Sequence, residues 1–104
     1  MIEIETQEQF EDIILKNDKV LVDIYTDYCS PCKKMKADVL PKIDSEIVIV
    51  MINGNVLNKV APGLPPVMAV PAFFLLEECV PVNQCVGMMS ERELRKFVGI
   101  GEEE

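Results

Sequence analysis

The sequence predicts an α/β domain in which a mixed sheet of about five strands is flanked by helices on both faces. Two observations lead to this fold class. The runs 20–25 and 47–52 are nearly continuous apolar stretches rich in β-branched residues, as expected of strands covered on both faces. Segments with the apolar spacing of amphipathic helices alternate with the strands. The 104 residues fit one domain, 1–104, in which the acidic residues 102–104 form a frayed tail.

The N-terminal part of the chain predicts a strand, a helix and a second strand. Residues 1–5 alternate isoleucine with glutamate, which is typical of a half-buried strand. Thr6 and Gln9 have the spacing of a capping box, so we expect a helix to begin there and to end near Lys16. After a short turn, the run 20–25 is the first central strand.

The middle of the chain predicts a helix, a strand and a second, shorter helix. The first helix begins around Ser30 and continues through Val39. Pro41 predicts a kink or an early end of that helix, because proline removes a backbone donor and its ring clashes with the preceding turn. The strand 47–52 follows, and then Asn-Gly-Asn turn chemistry with a short helical piece within 53–60.

The C-terminal part predicts two strands and a last helix. The strand 72–76 is followed by a weaker strand, 82–86, and Pro81 should keep that region at a sheet edge or in a turn. The run Ser-Glu-Arg-Glu at 90–93 is a second capping box, and the glycines in 99–101 end the helix that it opens. The predicted order is therefore β-α-β-α-β-α-β-β-α.

Composition excludes several classes of function. The net charge is −8, from 18 acidic and 10 basic residues, so nucleic acid and anionic membranes are not expected partners. The chain has no histidine, which excludes His-based acid–base catalysis and His metal ligands. No run approaches the ~20 apolar residues of a membrane span. The N-terminus carries acids where a signal peptide would be basic and then apolar, so we expect a cytoplasmic address.

The most informative motif is the pair Cys29 and Cys32, which lies between a predicted strand and a predicted helix. Unpaired N–H groups and the dipole at a helix N-terminus favour a thiolate at the first sulfur, and the second lies close enough for a disulfide. The pattern indicates thiol–disulfide redox chemistry. The alternatives are a structural pair or half of a zinc site, although Cys79 and Cys85, the other two cysteines, have an unusual spacing for zinc.

Cys79 and Cys85 lie around a turn that contains proline, and most such cysteines are small apolar packing residues. A regulatory disulfide or an intermolecular bridge through them is a less favoured alternative. An iron–sulfur site that uses all four cysteines is less favoured still.

Four segments carry a resemblance that extends over essentially the whole chain. They are Val22-Asp23-Ile24, Cys29-Ser30-Pro31-Cys32-Lys33, Val70-Pro71-Ala72-Phe73, and Val86-Gly87 followed by Ser90, Leu94 and Phe97. In order and spacing they resemble the thioredoxin family. The resemblance implies the thioredoxin fold, no bound cofactor and no metal.

The resemblance also implies the roles of three residues. Cys29 attacks a substrate disulfide, Cys32 resolves the mixed disulfide, and the two form a redox-active disulfide. Asp23 interrupts an apolar strand, where burial should raise its pKa and let it exchange a proton with Cys32, through water. The alternative for Asp23 is a carboxylate that is turned to solvent or hydrogen-bonded for structure.

The expected substrate-binding residues follow from the same resemblance. Pro71 would have a cis peptide bond, so that Val70 presents its backbone N–H and C=O to an extended substrate segment. Tyr28, Ser30 and Pro31 would flank the dithiol and form part of the contact surface. Such main-chain pairing tolerates many substrate sequences, which suits a general reductant of protein disulfides.

The chain departs from the family pattern at four positions. Tyr28 replaces a tryptophan, Ser30 a glycine and Ala37 a proline, while Met51 stands where a lysine pairs with the buried aspartate. These changes leave the redox potential and the direction of reaction open. The expected protein is a monomer that receives electrons from a separate reductase. The alternatives are an oxidant or isomerase with this fold, or a thioredoxin-fold binding module without turnover.

Overall fold

The computed structural model describes residues 1–101, and the predicted acidic tail 102–104 lies outside them. Five strands form one sheet in the order β1-β3-β2-β4-β5. The strands are β1 (Ile2–Glu3), β2 (Lys19–Tyr25), β3 (Val48–Asn53), β4 (Ala72–Glu77) and β5 (Val80–Val86). Strands β1, β3 and β2 are parallel, whereas β4 and β5 are antiparallel to their neighbours. The prediction of a mixed five-stranded sheet is confirmed.

Within residues 1–101, three α-helices lie between the strands and a fourth follows β5. They are α1 (Gln7–Lys16), α2 (Ser30–Lys34), α3 (Leu57–Val60) and α4 (Glu91–Val98). Their order confirms the predicted alternation. Among residues 1–101, no helix is long and apolar enough to cross a membrane.

Both predicted helix starts are present, but only one capping box is complete. At α4, Ser90 Oγ accepts a hydrogen bond from Glu93 N at 3.1 Å, and Glu93 Oε1 accepts one from Ser90 N at 2.8 Å. At α1, Thr6 accepts from Gln9 N at 3.1 Å. The Gln9 amide instead accepts from Glu5 N and donates to Glu3 O, because an amide can both donate and accept, and it thereby ties the helix to the end of β1.

The helical segment after α2 changes geometry before it reaches Pro41. It becomes π-helical over Met35–Val39, where Leu40 N donates to Met35 O, and then 3₁₀ over Leu40–Lys42. Proline has no backbone N–H to continue an α-helical ladder, and the change of helical geometry precedes it. The predicted disturbance at Pro41 is therefore confirmed, but it is spread over two turns rather than confined to one residue.

Strand β5 is an edge strand, and it begins earlier than the sequence predicts. Its first residues include Pro81, and the register with β4 shifts between Leu75 and Leu76, so Val82 is bulged out of the ladder. Proline cannot donate to the ladder, and an edge position with a bulge tolerates this loss. The expectation that Pro81 lies at an edge is confirmed.

Two apolar layers cover the sheet, one on each face. On one face, α1 and α3 bury Phe10 and Leu57 against alternate residues of the central strands. On the other face, Met35 from the segment after α2 and Leu94 from α4 pack against Phe73 and the other strand residues that point to that face. Asp23 is the buried charged residue of the sheet, and its position in β2 aims it at the face that carries α2.

Candidate active site

The predicted cysteine pair lies at the start of α2, directly after the loop that leaves β2. Cys29 is the N-cap residue of α2, and Cys29 and Cys32 form a disulfide with a Cα–Cα distance of 5.2 Å. Both residues are buried, and Cys29, with 8% exposed, is slightly more accessible than Cys32, with 4% exposed. The geometry matches the sequence prediction of a dithiol at a strand–helix junction.

The backbone around Cys29 favours its thiolate. Cys32 N donates a hydrogen bond to Cys29 Sγ at 3.1 Å, whereas Lys33 N donates to Cys29 O at 3.2 Å. A donor aimed at sulfur stabilises the thiolate more than the thiol.

Asp23 is fully buried beneath this region. Neither carboxylate oxygen has a hydrogen-bond partner among the described residues. Burial raises the pKa of Asp23 from its ordinary value of 3.8 to about 7, and the negative charge of Glu3 adds to the rise, whereas Lys36 opposes it. The expected burial and pKa rise of Asp23 are present, so the carboxyl group can take up or release a proton near neutral pH.

A row of in-register residues crosses the sheet through Asp23. It runs Glu3, Met51, Asp23, Phe73 and Cys85 in strands β1, β3, β2, β4 and β5. In-register neighbours project from the same face of a sheet, so Met51 lies between the two acids. Met51 is thus beside Asp23, at the position where the resemblance expects a lysine.

A cleft of about 160 Å³ opens beside this row. Its lining residues are Tyr25, Thr26, Asp27, Cys32, Lys33, Lys36 and Met51. Sequence reasoning did not place Glu3 or Tyr25 at the site, and it gave Lys36 mainly as part of a solvated helix face. Tyr25 could have been found from its spacing of two residues from Asp23, which puts both side chains on one face of the strand. Glu3 and Lys36 need the strand register and the helix position.

The predicted substrate-binding segment precedes β4, at the end of the sheet where β2 leads to the disulfide. The Val70–Pro71 peptide bond is cis. Ala72, the next residue, pairs with Ile24 near the end of β2 that leads to Cys29. Gly87 N donates to Pro71 O at 2.7 Å, which fixes this loop to the end of β5.

Large apolar side chains are exposed on the loops at this end of the sheet. Tyr28 is 98% exposed and Met68 is 96% exposed, and Met88 is also exposed. Ser30 and Pro31 are exposed beside them. Sequence reasoning identified Tyr28 but missed Met68 and Met88, for which only their nearness in sequence to Pro71 and Gly87 is a signal.

Cys79 and Cys85 lie apart from the disulfide and from each other. Cys79 is in the turn before β5, where Sγ donates to Ile14 O at 3.3 Å, and Cys85 is six positions along β5. A strand rises about 3.3 Å per residue, so the two lie roughly 20 Å apart. An intramolecular disulfide between them is excluded. Among residues 1–101, no group of three or more Cys, Asp or Glu residues could hold a metal, which overturns the four-cysteine iron–sulfur alternative.

Comparison with known protein sequences connects this geometry to one family. The family model described as Thioredoxin matches residues 1–99. The thioredoxin of Buchnera aphidicola subsp. Baizongia pistaciae is 27% identical over 95 residues, which are 88% of this chain and 86% of that protein. Thioredoxin Y1, chloroplastic, of Arabidopsis thaliana is 29% identical over 94 residues, which are 86% of this chain and 54% of that protein.

Solved structures share the same architecture. A point mutant of the thioredoxin from Halobacterium salinarum superposes with a TM-score of 0.80 at 25% identity, covering 93% of this chain and 86% of that one. Fasciola hepatica thioredoxin has a TM-score of 0.78 at 22% identity, covering 95% of this chain and 97% of that one. The second likeness is one of fold alone.

Proposed function

This chain belongs to the thioredoxin family and is a thiol–disulfide oxidoreductase, and we propose that it acts mainly as a cytoplasmic reductant of protein disulfides. The observation that carries the proposal is the Cys29–Cys32 disulfide at the start of α2, with the buried carboxyl group of Asp23 on the sheet face below. Cys29, Cys32 and Asp23 are the proposed catalytic residues.

The first step forms a mixed disulfide. The Cys29 thiolate attacks one sulfur of the substrate disulfide, and the other substrate sulfur leaves as a thiolate. The Cys32 N–H that points at Cys29 Sγ in the disulfide form supports this step, because a donor in this position would stabilise the attacking thiolate.

The second step releases the substrate and needs a proton acceptor. Cys32 attacks Sγ of Cys29, the Cys29–Cys32 disulfide forms, and the second substrate sulfur leaves as a thiolate. Two electrons have then passed from the protein to the substrate. Asp23, with its pKa raised to about 7, takes the proton of Cys32 through water when it is ionised near neutral pH.

The loop at the cis peptide bond serves as the substrate platform. Val70 pairs its backbone N–H and C=O with an extended substrate segment beside Pro71. Tyr28, Ser30 and Pro31 complete the contact surface, and the exposure of Tyr28 supports a role in contact rather than packing. Because main-chain pairing ignores most side chains, disulfide-containing proteins of varied sequence are the proposed substrates.

The wider proposal concerns partners and location. A separate reductase returns electrons to the Cys29–Cys32 disulfide, the chain 1–104 works as one domain and as a monomer, and no bound cofactor or metal takes part. The free thiols of Cys79 and Cys85 suit the reducing environment of the cytoplasm. The net charge of −8 argues against nucleic acid and membrane partners.

Trapping of the mixed disulfide tests the catalytic assignment. With a model protein disulfide, Cys32→Ser should accumulate one covalent adduct through Cys29, because no thiol remains to resolve it. Cys29→Ser should form no such adduct, and Cys79→Ser and Cys85→Ser should behave like the unaltered protein. Intact mass spectrometry after alkylation reads out each species. Full turnover by Cys29→Ser would contradict the proposal and indicate another reactive site, and no adduct with Cys32→Ser would indicate a binding module without turnover.

The redox potential tests the proposed direction of the reaction. Equilibrium titration should give a two-thiol transition confined to Cys29 and Cys32, near the thioredoxin value of about −270 mV. A markedly higher potential would indicate an oxidant or isomerase instead.

A further inference from the structure

Two oppositely charged side chains lie around Met51, the in-register neighbour of the buried Asp23. One is Glu3, at the edge of the sheet, and the other is Lys36, from the helical segment above it. Neither has a role in the proposed thiol chemistry. Glu3 is the in-register neighbour of Met51, and Lys36 lines the same cleft as Met51. The family resemblance expects a lysine at residue 51.

Glu3 is fixed on the sheet face that carries Asp23. Glu3 and Asp23 are the in-register neighbours of Met51 on its two sides, so two inter-strand spacings, about 10 Å, separate their backbones. The Tyr25 hydroxyl donates to Glu3 Oε2 at 2.6 Å. Burial and the Glu3 charge raise the pKa of Tyr25, so the phenol stays a neutral donor and holds the Glu3 carboxylate in place.

Lys36 lies on the helical side of the same cleft. It follows Cys32 by four residues, and side chains with this spacing lie on one face of a helix. Accordingly, Lys36, Cys32 and Met51 line the cleft together. The other charged groups that face the cleft are Lys33, from the same helix, and Asp27, which accepts a hydrogen bond from Asn53 Nδ2.

The charges act on Asp23 in opposite directions. Burial is the largest cause of its raised pKa, the Glu3 carboxylate raises it further, and the Lys36 ammonium lowers it. A cation beside a carboxyl group favours the ionised form, and an anion disfavours it. Since Met51 carries no charge, Lys36 is the cation that partly offsets the cost of ionising Asp23.

We propose that Lys36 is a positioning residue for the thiol chemistry: from the helical side of the cleft it acts as the counter-charge of Asp23 in place of a lysine at residue 51, and the Glu3–Tyr25 pair opposes it. The proposal rests on the proposed proton exchange between Asp23 and Cys32. The balance between the two charges sets the pH range in which Asp23 is an ionised proton acceptor.

The test measures the pKa of the Asp23 carboxyl group by NMR titration of its carboxyl carbon in the oxidised protein. Lys36→Met should raise this pKa by roughly half a pH unit or more, as Coulomb attraction across a partly solvated gap implies. Glu3→Gln should lower it, and the double variant should return towards the unaltered value. Lys36→Arg keeps the charge and should keep the pKa.

The matched control is Lys34→Met, which removes the same charge from the same helix without altering the cleft lining. It should leave the pKa of Asp23 in place. High salt should shrink the effect of Lys36→Met, because mobile ions screen an exposed ammonium group.

A second readout is the pH profile of mixed-disulfide resolution by Cys32, measured with Cys79 and Cys85 replaced by serine. Its acid limb should move to higher pH in Lys36→Met by the same amount as the pKa of Asp23.

An unchanged pKa of Asp23 in Lys36→Met, or an equal change in Lys34→Met, overturns the inference and leaves the trapping result intact. A pKa that moves while the profile stays fixed also overturns Lys36 as a positioning residue. If Asp23→Asn itself leaves the profile unchanged, the proposed role of Asp23 is what fails.

Discussion

The carboxyl group of Asp23 gives the sharpest expectation for a single residue, because its burial couples stability to pH. Its pKa is raised from 3.8 to about 7 in the folded protein, so between these values the folded state binds a proton that the unfolded state has lost. The contribution of Asp23 to stability is therefore intact at low pH. It is lost as pH rises from 3.8 towards about 7 and stays lost above that.

Replacement of Asp23 by asparagine should remove this loss. At pH about 8 the free energy of unfolding of Asp23→Asn should exceed that of the unaltered protein by about 2–4 kcal/mol, since each pKa unit is worth about 1.4 kcal/mol and the buried amide lacks partners too. At a pH below 3.8 this advantage should vanish. Urea unfolding of the oxidised proteins at a series of pH values gives the difference. A difference that does not depend on pH would show that Asp23 is not the titrating group.

At this scale the sequence predicted the cysteine pair and the buried acid but not their electrostatic surroundings. Cys29, Cys32 and Asp23 could be found because a thiol pair at a strand–helix junction and an acid in an apolar strand stand out locally. Glu3 and Lys36 are ordinary surface charges in the sequence. They matter only through the register of β1 with β3 and the placement of the helical segment over the cleft, which local patterns do not encode.

Among the elements, α4 is the one whose stability depends most visibly on its cap. Ser90→Ala removes the hydroxyl that accepts from Glu93 N and leaves that donor without its partner at the start of the helix. The free energy of unfolding should fall by about 1 kcal/mol, the usual cost of losing a hydroxyl N-cap. Chemical denaturation measures this loss as a lower midpoint concentration of denaturant with an unchanged m-value.

The complementary variant is Glu93→Ala, which deletes the reciprocal hydrogen bond to Ser90 N. If the two substitutions act on one capping box, the double variant should lose less than the sum of the single losses. Strict additivity would contradict a shared cap.

Sequence patterns were informative for elements with local causes and less so where elements adapt to each other. The starts of α1 and α4 follow from cap residues, and both are where they were expected. The π and 3₁₀ turns after α2 were not predictable in detail, because they arise from fitting Pro41 while Met35 and Leu40 remain buried against the sheet. The early start of β5 likewise depends on a bulge that tolerates Pro81.

For the whole molecule, the order of strands follows from connections that the sequence suggested. Parallel strands joined through helices, and a hairpin between β4 and β5, leave β1 and β5 at the sheet edges. The cysteine segment and the Val70–Pro71 loop meet at one end of the central strands, because β2 ends where its antiparallel neighbour β4 begins. The burial of Asp23 follows from the covering of both sheet faces, which the continuous apolar runs predicted.

The exposed edge of β5 decides the expected state of association. Val80, Val82 and Val86 are about half exposed there, and an unprotected edge with such side chains could pair with a second copy. However, Pro81 offers no N–H to a neighbouring strand, and the bulge at Val82 breaks the flat ladder that pairing needs. The net charge of −8 adds repulsion between copies.

We therefore expect a monomer. Sedimentation should give the mass of one chain across a hundredfold range of concentration. Reducing conditions are used because they exclude disulfide bridges between copies through Cys79. Pro81→Val restores the missing donor and should increase self-association, since it leaves only the bulge to protect the edge. Val82→Lys adds charge to the edge and should leave the monomer unchanged. A dimer of the unaltered protein that Val82→Lys dissociates would show that β5 pairs between copies and that the bulge does not protect it.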